Sequence, residues 1–447
     1  MLGAGIAGLA VATDLAARGF DVMVLEAQSR PGGRVLTIRS PFPEGLYVEA
    51  GATHVTADPD LLALVATAGV SLVRPKPPRG LVSIAIARGE RLRLGEDEDP
   101  PAPYPYSEEE RKLGFMGRLE KYFALVKGVD PASPWPPPAL ARHDLQTGVQ
   151  LLTELGASPG YVQGFGGGLI AERLSEVSGA FVLREMAGFF RDVALPRETG
   201  GRIAGGSDRL PHALAEKLGA RVVLSAEVQR ITQDEHGARV TFVRGGEVQH
   251  VDADRVVCTI PYSVLRHLEI APALSAAKRR VVHEMVMVSY ARVLTQLDRR
   301  FWNLRGESGD AETDLPLGDV KDETKSLPGI AGVLGASLTG DTARRLSALS
   351  EPDRVRAFVD HVDKVHPGAR SHLVSGLTKC WDEDRFARGA FAWFRPRQLT
   401  ELGAAITSAE GRIHFAGDHT SHRPGWMHGA VASAKRAVAE ILASRRA

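Results

Sequence analysis

The chain opens on a glycine pattern that few folds can use. Gly3, Gly5 and Gly8 are spaced Gly-x-Gly-x-x-Gly, within an Ala/Leu-rich stretch, Ala7 to Ala17, that is typical of a helix. A β-branched run then ends in the acid Glu26. In such a strand–turn–helix unit the first glycine permits a tight turn, the second lets a pyrophosphate approach the backbone, and the third lets helix and strand pack closely. We therefore expect a bound dinucleotide here, with Glu26 accepting hydrogen bonds from its adenosine ribose.

The strand before this motif is short. Only Met1 and Leu2 precede Gly3, whereas a central parallel strand usually has about five residues. We expect that the numbered chain starts late, rather than that the domain lacks most of its first strand.

Composition argues against several classes of protein. A net charge of +1 over 447 residues gives no reason to expect a nucleic acid or an anionic membrane as partner. No stretch approaches the roughly 18 apolar residues of a membrane span, and no secretory leader precedes the motif, so we expect a cytoplasmic protein. The two cysteines, Cys258 and Cys380, lie in apolar surroundings and are expected to be buried free thiols.

The two ends of the chain together resemble one family. Gly3 to Leu9, Glu26 and Arg30-Pro31-Gly32-Gly33-Arg34 are similar to the N-terminal motifs of the flavin-containing amine oxidases, which include monoamine, polyamine and L-amino-acid oxidases. Gly411 to Ser421 and Gly425 to Ala430 resemble the second flavin-binding segment of that family. Read alone, the arginines beside Gly32 and Gly33 either meet a phosphate or belong to a solvated turn. The resemblance covers essentially the whole chain.

The resemblance implies an α/β fold in two domains. An FAD-binding dinucleotide domain of the glutathione-reductase type would be assembled from residues 1–75, 200–285 and 405–447. A second, α+β substrate domain would be assembled from a helical insertion, residues 76–199, and a sheet half, residues 286–404.

Periodicity adds detail to this division. Strands are expected at Ser83 to Ala87 and Glu90 to Leu94 (a hairpin), Arg221 to Leu224, Ala238 to Arg244, Glu247 to Val251 and Val286 to Asp298. Helices are expected at Glu108 to Val126, Leu145 to Leu155, Pro159 to Ala171 and Ser175 to Phe190.

The resemblance also implies the chemistry. Hydride passes from the carbon that bears the amine nitrogen to the flavin, water hydrolyses the imine, and O2 takes the electrons to give hydrogen peroxide. Gly389 stands where the monoamine oxidases carry the cysteine that bonds the flavin, so we expect non-covalent FAD. The residues expected to bind it are Gly3, Gly5, Ile6, Ala7, Gly8, Glu26, Ala27, Gly33, Arg34, Gly51, Ala52, Val228, Gly417, Asp418, Gly425, Trp426, Met427 and Ala430.

Three residues are candidates for catalysis by the same resemblance. Trp426 stands where the family places an aromatic ring upright against the flavin, although a core tryptophan is the alternative. Lys325 is a candidate for the lysine that holds a water at the flavin, with a solvated loop as the alternative. Arg292 also matches a cation of the family, but an arginine cannot deprotonate. His54 replaces an arginine that binds the substrate carboxylate in many L-amino-acid oxidases, which argues against an amino-acid substrate.

Other interpretations stay open. Within enzymes they are an L-amino-acid oxidase or a desaturase of the protoporphyrinogen/phytoene type, and Gly425-Trp426-Met427 favours the oxidases over the desaturases. From another class, a flavin-binding module without turnover is compatible with the short first strand and with His428, which stands where the family usually has Glu. The partners expected are a small amine and O2. The oligomeric state is open, with a homodimer as one alternative.

Overall fold

A computed structural model describes residues 1–42, 45–74, 80–95, 104–131, 135–166, 171–196 and 199–444. The fold is mixed α/β, and its helices and sheets surround one long cavity. None of the described helices is long and apolar enough to cross a bilayer.

The first residues of the chain belong to a parallel sheet. Its order is Val222–Val223, Val24–Leu25, Leu2, Val256–Cys258 and Ile413–Phe415. The amide of Leu2 donates to the Val257 carbonyl at 2.9 Å, and the amide of Gly3 donates to the Leu25 carbonyl at 2.8 Å. The short first strand therefore occupies the central position of the sheet, although only one of its residues is paired on both sides.

Helix Ile6–Ala17 follows this strand and packs against the last helix, Met427–Ser444. The approach of helix to strand depends on Gly8, because a Cβ added there would lie 2.0 Å from the carbonyl oxygen of Gly3. Two further helices, Pro59–Ala68 and Arg209–Leu218, complete this helical layer and bury the apolar residues of its inner face.

A second sheet flanks the parallel one. Its strand order is Glu247–Ala253, Ala238–Arg244, Glu227–Gln233 and Glu269–Ala271. Two of these strands agree with the sequence prediction, but Glu227–Gln233 was not predicted because its polar residues outnumber its apolar ones. Short elements complete the region: strands Thr37–Ile38, Val48–Glu49, Leu72–Val73 and Arg202–Ile203, and helices Gly219–Arg221, Tyr262–Leu265, Ala276–Glu284 and Asp418–Thr420.

A helical block covers one side of the cavity. The helices are Glu108–Lys112, Gly114–Phe123, Ala124–Val126, Pro138–Leu145, Gly148–Glu154, Pro159–Gly166 and Gly179–Ala194. The prediction of one continuous helix from Glu108 to Val126 was wrong, because Gly114 has φ +61° and interrupts the helix. Helix Gly179–Ala194 begins four residues later than predicted, because the Ser178 side chain caps it by accepting from the amide of Phe181 at 3.3 Å. The end of the helix predicted at Pro159 to Ala171 falls partly outside the described residues.

The other side of the cavity is a four-stranded sheet, in the order Lys321–Asp322, Gly332–Thr339, Tyr290–Leu297 and Leu373–Cys380. The strand predicted at Val286 to Asp298 is divided into Val286–Met287, which pairs with Ala392–Trp393, and Tyr290–Leu297. The predicted hairpin is present as Val82–Ala87 and Glu90–Leu94, with Glu307–Thr313 added parallel to its first strand. The remaining helices are Asn303–Arg305, Gly340–Ser347, Glu351–Val365, Ala369–His372 and Gln398–Thr407.

Candidate active site

One cavity of about 1180 Å³ runs from the glycine turn to the four-stranded sheet. It is lined by these residues from the sequence prediction: Gly3, Gly5, Ile6, Ala7, Glu26, Ala27, Gly33, Arg34, Gly51, Ala52, His54, Val228, Lys325, Gly417, Asp418, Gly425, Trp426, Met427 and Ala430. Gly8 is not among the lining residues. It lies against Gly3, since a Cβ added to Gly8 would be 2.0 Å from the Gly3 carbonyl oxygen.

The turn at the N-terminus of the first helix provides an open cradle. Gly3 has φ +102°, a conformation that costs glycine least. A Cβ added at Gly5 would meet nothing within 4 Å, so the cavity reaches the backbone at this point. The free amides and the positive dipole end of helix Ile6–Ala17 are available to an anion here.

Glu26 lies at the edge of this cradle. Its Oε2 accepts from the amide of Ala4 at 2.7 Å, and its Oε1 accepts from the amide of Gln28 at 2.8 Å. Burial raises the pKa of the carboxyl, while these amides oppose that rise. Each oxygen keeps a lone pair for a further hydroxyl donor, because a carboxylate oxygen can accept two hydrogen bonds.

The two glycine-rich motifs of the chain meet through one ion pair. The Arg34 guanidinium donates to both oxygens of Asp418 and to the carbonyl of Ala390. Asp418 Oδ2 also accepts from the amide of Gly425 at 2.8 Å. Arg30, the other arginine of the motif, donates instead to backbone carbonyls, including that of Gly33 at 3.0 Å. Of the two arginines, the cavity therefore contacts only Arg34.

His428 occupies the position after the Trp426-Met427 pair. Its Nδ1 lies 3.1 Å from Thr56 Oγ1, and its Nε2 lies 4.0 Å from Asp192. Burial lowers the pKa of the imidazole to about 4, so the ring is neutral at pH 7. Position 428 itself therefore carries a neutral ring, and His428 is not among the residues that line the cavity.

Aromatic side chains form the wall nearest the last helix. Trp426 is 37% exposed and lines the cavity, and Phe391 packs so closely that a Cβ on Gly425 would lie 2.8 Å from its ring. Trp381 also faces the cavity and donates its indole N–H to the Ala50 carbonyl at 2.9 Å. Trp393 is buried and is not among the residues that line the cavity.

The four-stranded sheet presents polar side chains at the far end. Its register places Arg292 opposite Ser337 and Tyr290 opposite Thr339, so all four point to the cavity face. Arg292 is buried, donates to Ser337 Oγ at 2.5 Å and pairs with Glu323 at 2.6 Å. Burial alone would lower the pKa of this guanidinium, but Glu323 and Tyr290 outweigh it and raise the pKa.

Lys325 reaches the same end of the cavity. Its Nζ donates to Asp310 Oδ2 at 2.6 Å, and about a quarter of the side chain is exposed (26%). The ammonium is therefore paired in this structure, and a role at the flavin stays a prediction.

His54 and Arg202 lie on neighbouring segments, because Val55 pairs with Gly201 in an isolated antiparallel bridge. Both line the cavity. The pKa of His54 is lowered, first by burial and then by the charge of Arg202. Within the described residues, the Arg202 guanidinium has no hydrogen-bond or ion-pair partner. Sequence reasoning did not find Arg202, since nothing in the local string Gly200 to Ile203 marks it.

Known proteins match the chain over its full length. A family model described as flavin containing amine oxidoreductase matches residues 6–442. The L-amino-acid oxidase of Siganus canaliculatus is 29% identical, covering 99% of this chain and 84% of that protein. The flavin-dependent L-tryptophan oxidase RebO of Lentzea aerocolonigenes is also 29% identical, covering 99% and 97%.

Solved structures give the same result. Wild-type putrescine oxidase bound to putrescine has a TM-score of 0.84 and 25% identity, covering 99% of this chain and 98% of that one. With the glycine cradle, Glu26 and the aromatic wall placed around one cavity, these matches identify the chain as a member of the flavin-containing amine oxidoreductase family, an oxidoreductase that acts on amine groups.

Proposed function

We propose that this protein is an FAD-dependent oxidase that holds its flavin non-covalently and oxidises a small amine with O2. The observation that supports it most is the continuity of one cavity from the glycine cradle to the aromatic wall at Trp426. Such a cavity holds a dinucleotide cofactor at one end and a substrate at the other. The products are an imine, which water converts to an aldehyde or ketone and an ammonium, and hydrogen peroxide.

The residues around the cradle fit an extended dinucleotide. Gly5 leaves room for a pyrophosphate, Glu26 offers lone pairs to a ribose, and the amides of helix Ile6–Ala17 favour negative charge. Bound FAD would supply the hydride acceptor, which no amino-acid side chain can provide. The domain division proposed with it is an FAD-binding domain of glutathione-reductase type at residues 1–75, 200–285 and 405–447, with an α+β substrate domain at 76–199 and 286–404.

The chain's own residues orient the amine and exclude water. A neutral amine is needed for hydride loss, and the rings of Trp426 and Phe391 offer an apolar face to it. Met427 and the start of the last helix lie next to this wall, where helix dipole charge favours an anion. Lys325 is the candidate for holding a water that reacts with the imine, once its ammonium leaves Asp310.

A second candidate substrate class is an amino acid. Arg202 is a cation without a partner among the described residues, and it lines the cavity close to His54. A guanidinium is the side chain best suited to bind a carboxylate in a bidentate manner. The L-amino-acid oxidases among the relatives support this alternative.

An aerobic assay of the holoprotein tests the proposal. Phenethylamine, putrescine and L-phenylalanine are supplied in turn, and hydrogen peroxide and ammonia are measured. Peroxide and ammonia in equal amounts with an amine support the amine oxidase, and activity with L-phenylalanine alone supports the second candidate. R202M would then raise KM for L-phenylalanine, because the substrate carboxylate loses its guanidinium partner. A flavin-loaded protein that yields no peroxide with amines of any size contradicts the proposed function.

A further inference from the structure

A buried arginine lies directly behind the aromatic wall. The Cζ of Arg423 is 5.3 Å from the centroid of the Trp426 ring, which is within the range of a cation–π contact. Only 4% of the Arg423 side chain is exposed, whereas Trp426 borders the cavity. The cation therefore touches the aromatic ring and does not itself line the cavity.

Two carboxylates on one helix hold this guanidinium. Arg423 Nη2 donates to Asp192 Oδ2 at 2.6 Å, and Nη1 donates to Glu185 Oε2 at 3.2 Å. Glu185 and Asp192 are seven residues apart on helix Gly179–Ala194, so both project from the same face. A charge-assisted fork of this kind fixes both the position and the plane of an arginine.

The backbone around the arginine is shaped to admit it. Gly188 lies between the two carboxylates, and a Cβ there would be 2.3 Å from Arg423 Nη1. A Cβ on Gly429 would be 2.1 Å from the carbonyl oxygen of Arg423. No larger residue fits either position without moving the arginine. Gly188 therefore leaves space for the guanidinium, and Gly429 leaves space for the backbone of Arg423.

We propose that Arg423 is a positioning residue, which sets the orientation of the Trp426 ring for the amine. The inference rests on the proposed function, because it concerns the wall against which the substrate would lie. Glu185 and Asp192 lock the guanidinium, the guanidinium stacks on the ring, and the ring presents one orientation to the cavity. Helix Gly179–Ala194 thereby contributes to the geometry of substrate oxidation through a residue that the substrate does not contact.

A double-mutant cycle on the holoprotein tests this role. R423K keeps the charge but loses the planar fork, and D192N weakens the fork while keeping the arginine. We expect R423K to lower the limiting rate of flavin reduction by phenethylamine roughly 10- to 100-fold, as small misplacements do, with flavin content and O2 reactivity unchanged. In a W426A background the same R423K change should have no further effect. R91K is the matched control. Arg91 also forms an ion pair, with Glu307 at 2.7 Å, but it does not line the cavity.

A purely structural role gives a different pattern. R423K would then lower the limiting rate of flavin reduction by the same factor with and without Trp426, or would leave that rate unchanged. Either result overturns the proposal. Near-UV circular dichroism supplies a readout without turnover: R423K or D192N should change the tryptophan signal of the wild-type protein and leave that of W426A unchanged. If no amine reduces the wild-type flavin, the proposed function fails, while the dichroism cycle still decides the positioning role. If R423K does not fold, D192N is carried through the same cycle.

Discussion

Arg34 and Asp418 lie 384 residues apart in the chain and form an ion pair that lines the cavity. The guanidinium also donates to the carbonyl of Ala390, beside the aromatic wall. The N-terminal motif, the short helix Asp418–Thr420 and the segment at Gly425 are thereby joined at one point. This ion pair adds to the packing of the first helix on the last one, which also brings the two ends of the chain together.

Two glycines of the first motif should respond differently to alanine. In G8A the new Cβ would lie 2.0 Å from the Gly3 carbonyl oxygen, so we expect the protein to lose stability whether or not flavin is present. In G5A the new Cβ meets no protein atom, so we expect a normal melting temperature of the apoprotein and weaker flavin binding. Thermal unfolding of the apoprotein and flavin titration measure the two effects. Equal loss of apoprotein stability in both variants would contradict the cradle.

The flavin should be released by denaturation. Neither Cys258 nor Cys380 lines the cavity, and Gly389 has no side chain to form a thioether. A side chain at Gly389 is also disfavoured, because its φ is +118° and its Cβ would lie 2.4 Å from that of Met287. Acid precipitation of the holoprotein should leave FAD in the supernatant, identified by chromatography. A yellow pellet would show a covalent bond.

Lys325 should act on the oxidative half of the cycle. We expect K325M to slow the reaction of the reduced flavin with O2 about 10- to 100-fold and to leave the rate of reduction unchanged. Stopped-flow mixing of reduced protein with O2 measures it. K435M is the matched control, because Lys435 pairs with Asp60 at 2.7 Å and does not line the cavity. Reoxidation of K325M at the wild-type rate would show that Lys325 takes no part in the reaction with O2.

Lys278 should make stability depend on pH. The side chain is fully buried, with Phe415 4.0 Å from its ammonium, and burial lowers its pKa from the ordinary 10.5 to about 7. Because the unfolded chain binds this proton more tightly, stability falls as the pH drops from about 10.5 to about 7 and the loss is complete below that. K278M removes this pH-dependent loss of stability. The free energy of unfolding of K278M relative to wild type should therefore be higher at pH 7 than at pH 10, by on the order of 3–5 kcal/mol.

Denaturant unfolding at the two pH values measures this difference. K112M is the control, since the Lys112 side chain is 74% exposed. An equal change in the free energy of unfolding at both pH values would show that Lys278 keeps an ordinary pKa.

Short sequence patterns predicted those turns, strands and hairpins whose conformation depends mainly on residues close together in the chain. The glycine spacing, the hairpin at Val82–Ala87 and Glu90–Leu94 and the strand at Ala238–Arg244 each carry their signal within a few residues. Strand Glu227–Gln233 was missed, because its neighbours rather than its own residues place it in the sheet.

The site was predicted in part for the same reason. The cavity-lining residues of both motifs follow from resemblance, residue by residue. Arg423 and its partners Glu185 and Asp192 are 231–238 residues apart, and no spacing links charged residues across that distance. That Arg202 has no side-chain partner among the described residues likewise depends on which side chains the fold brings near it. Contacts of this kind become visible only in three dimensions.

Anaerobic reduction of the bound flavin is the most direct test of the central claim. Purified holoprotein is mixed without O2 with phenethylamine, putrescine and L-phenylalanine in turn, and the absorption spectrum is recorded. Amine oxidation predicts that one of these bleaches the yellow flavin completely and that admitting O2 restores the colour with release of hydrogen peroxide. A yellow spectrum that stays unchanged with these compounds and with a wider series of amines and amino acids would contradict it.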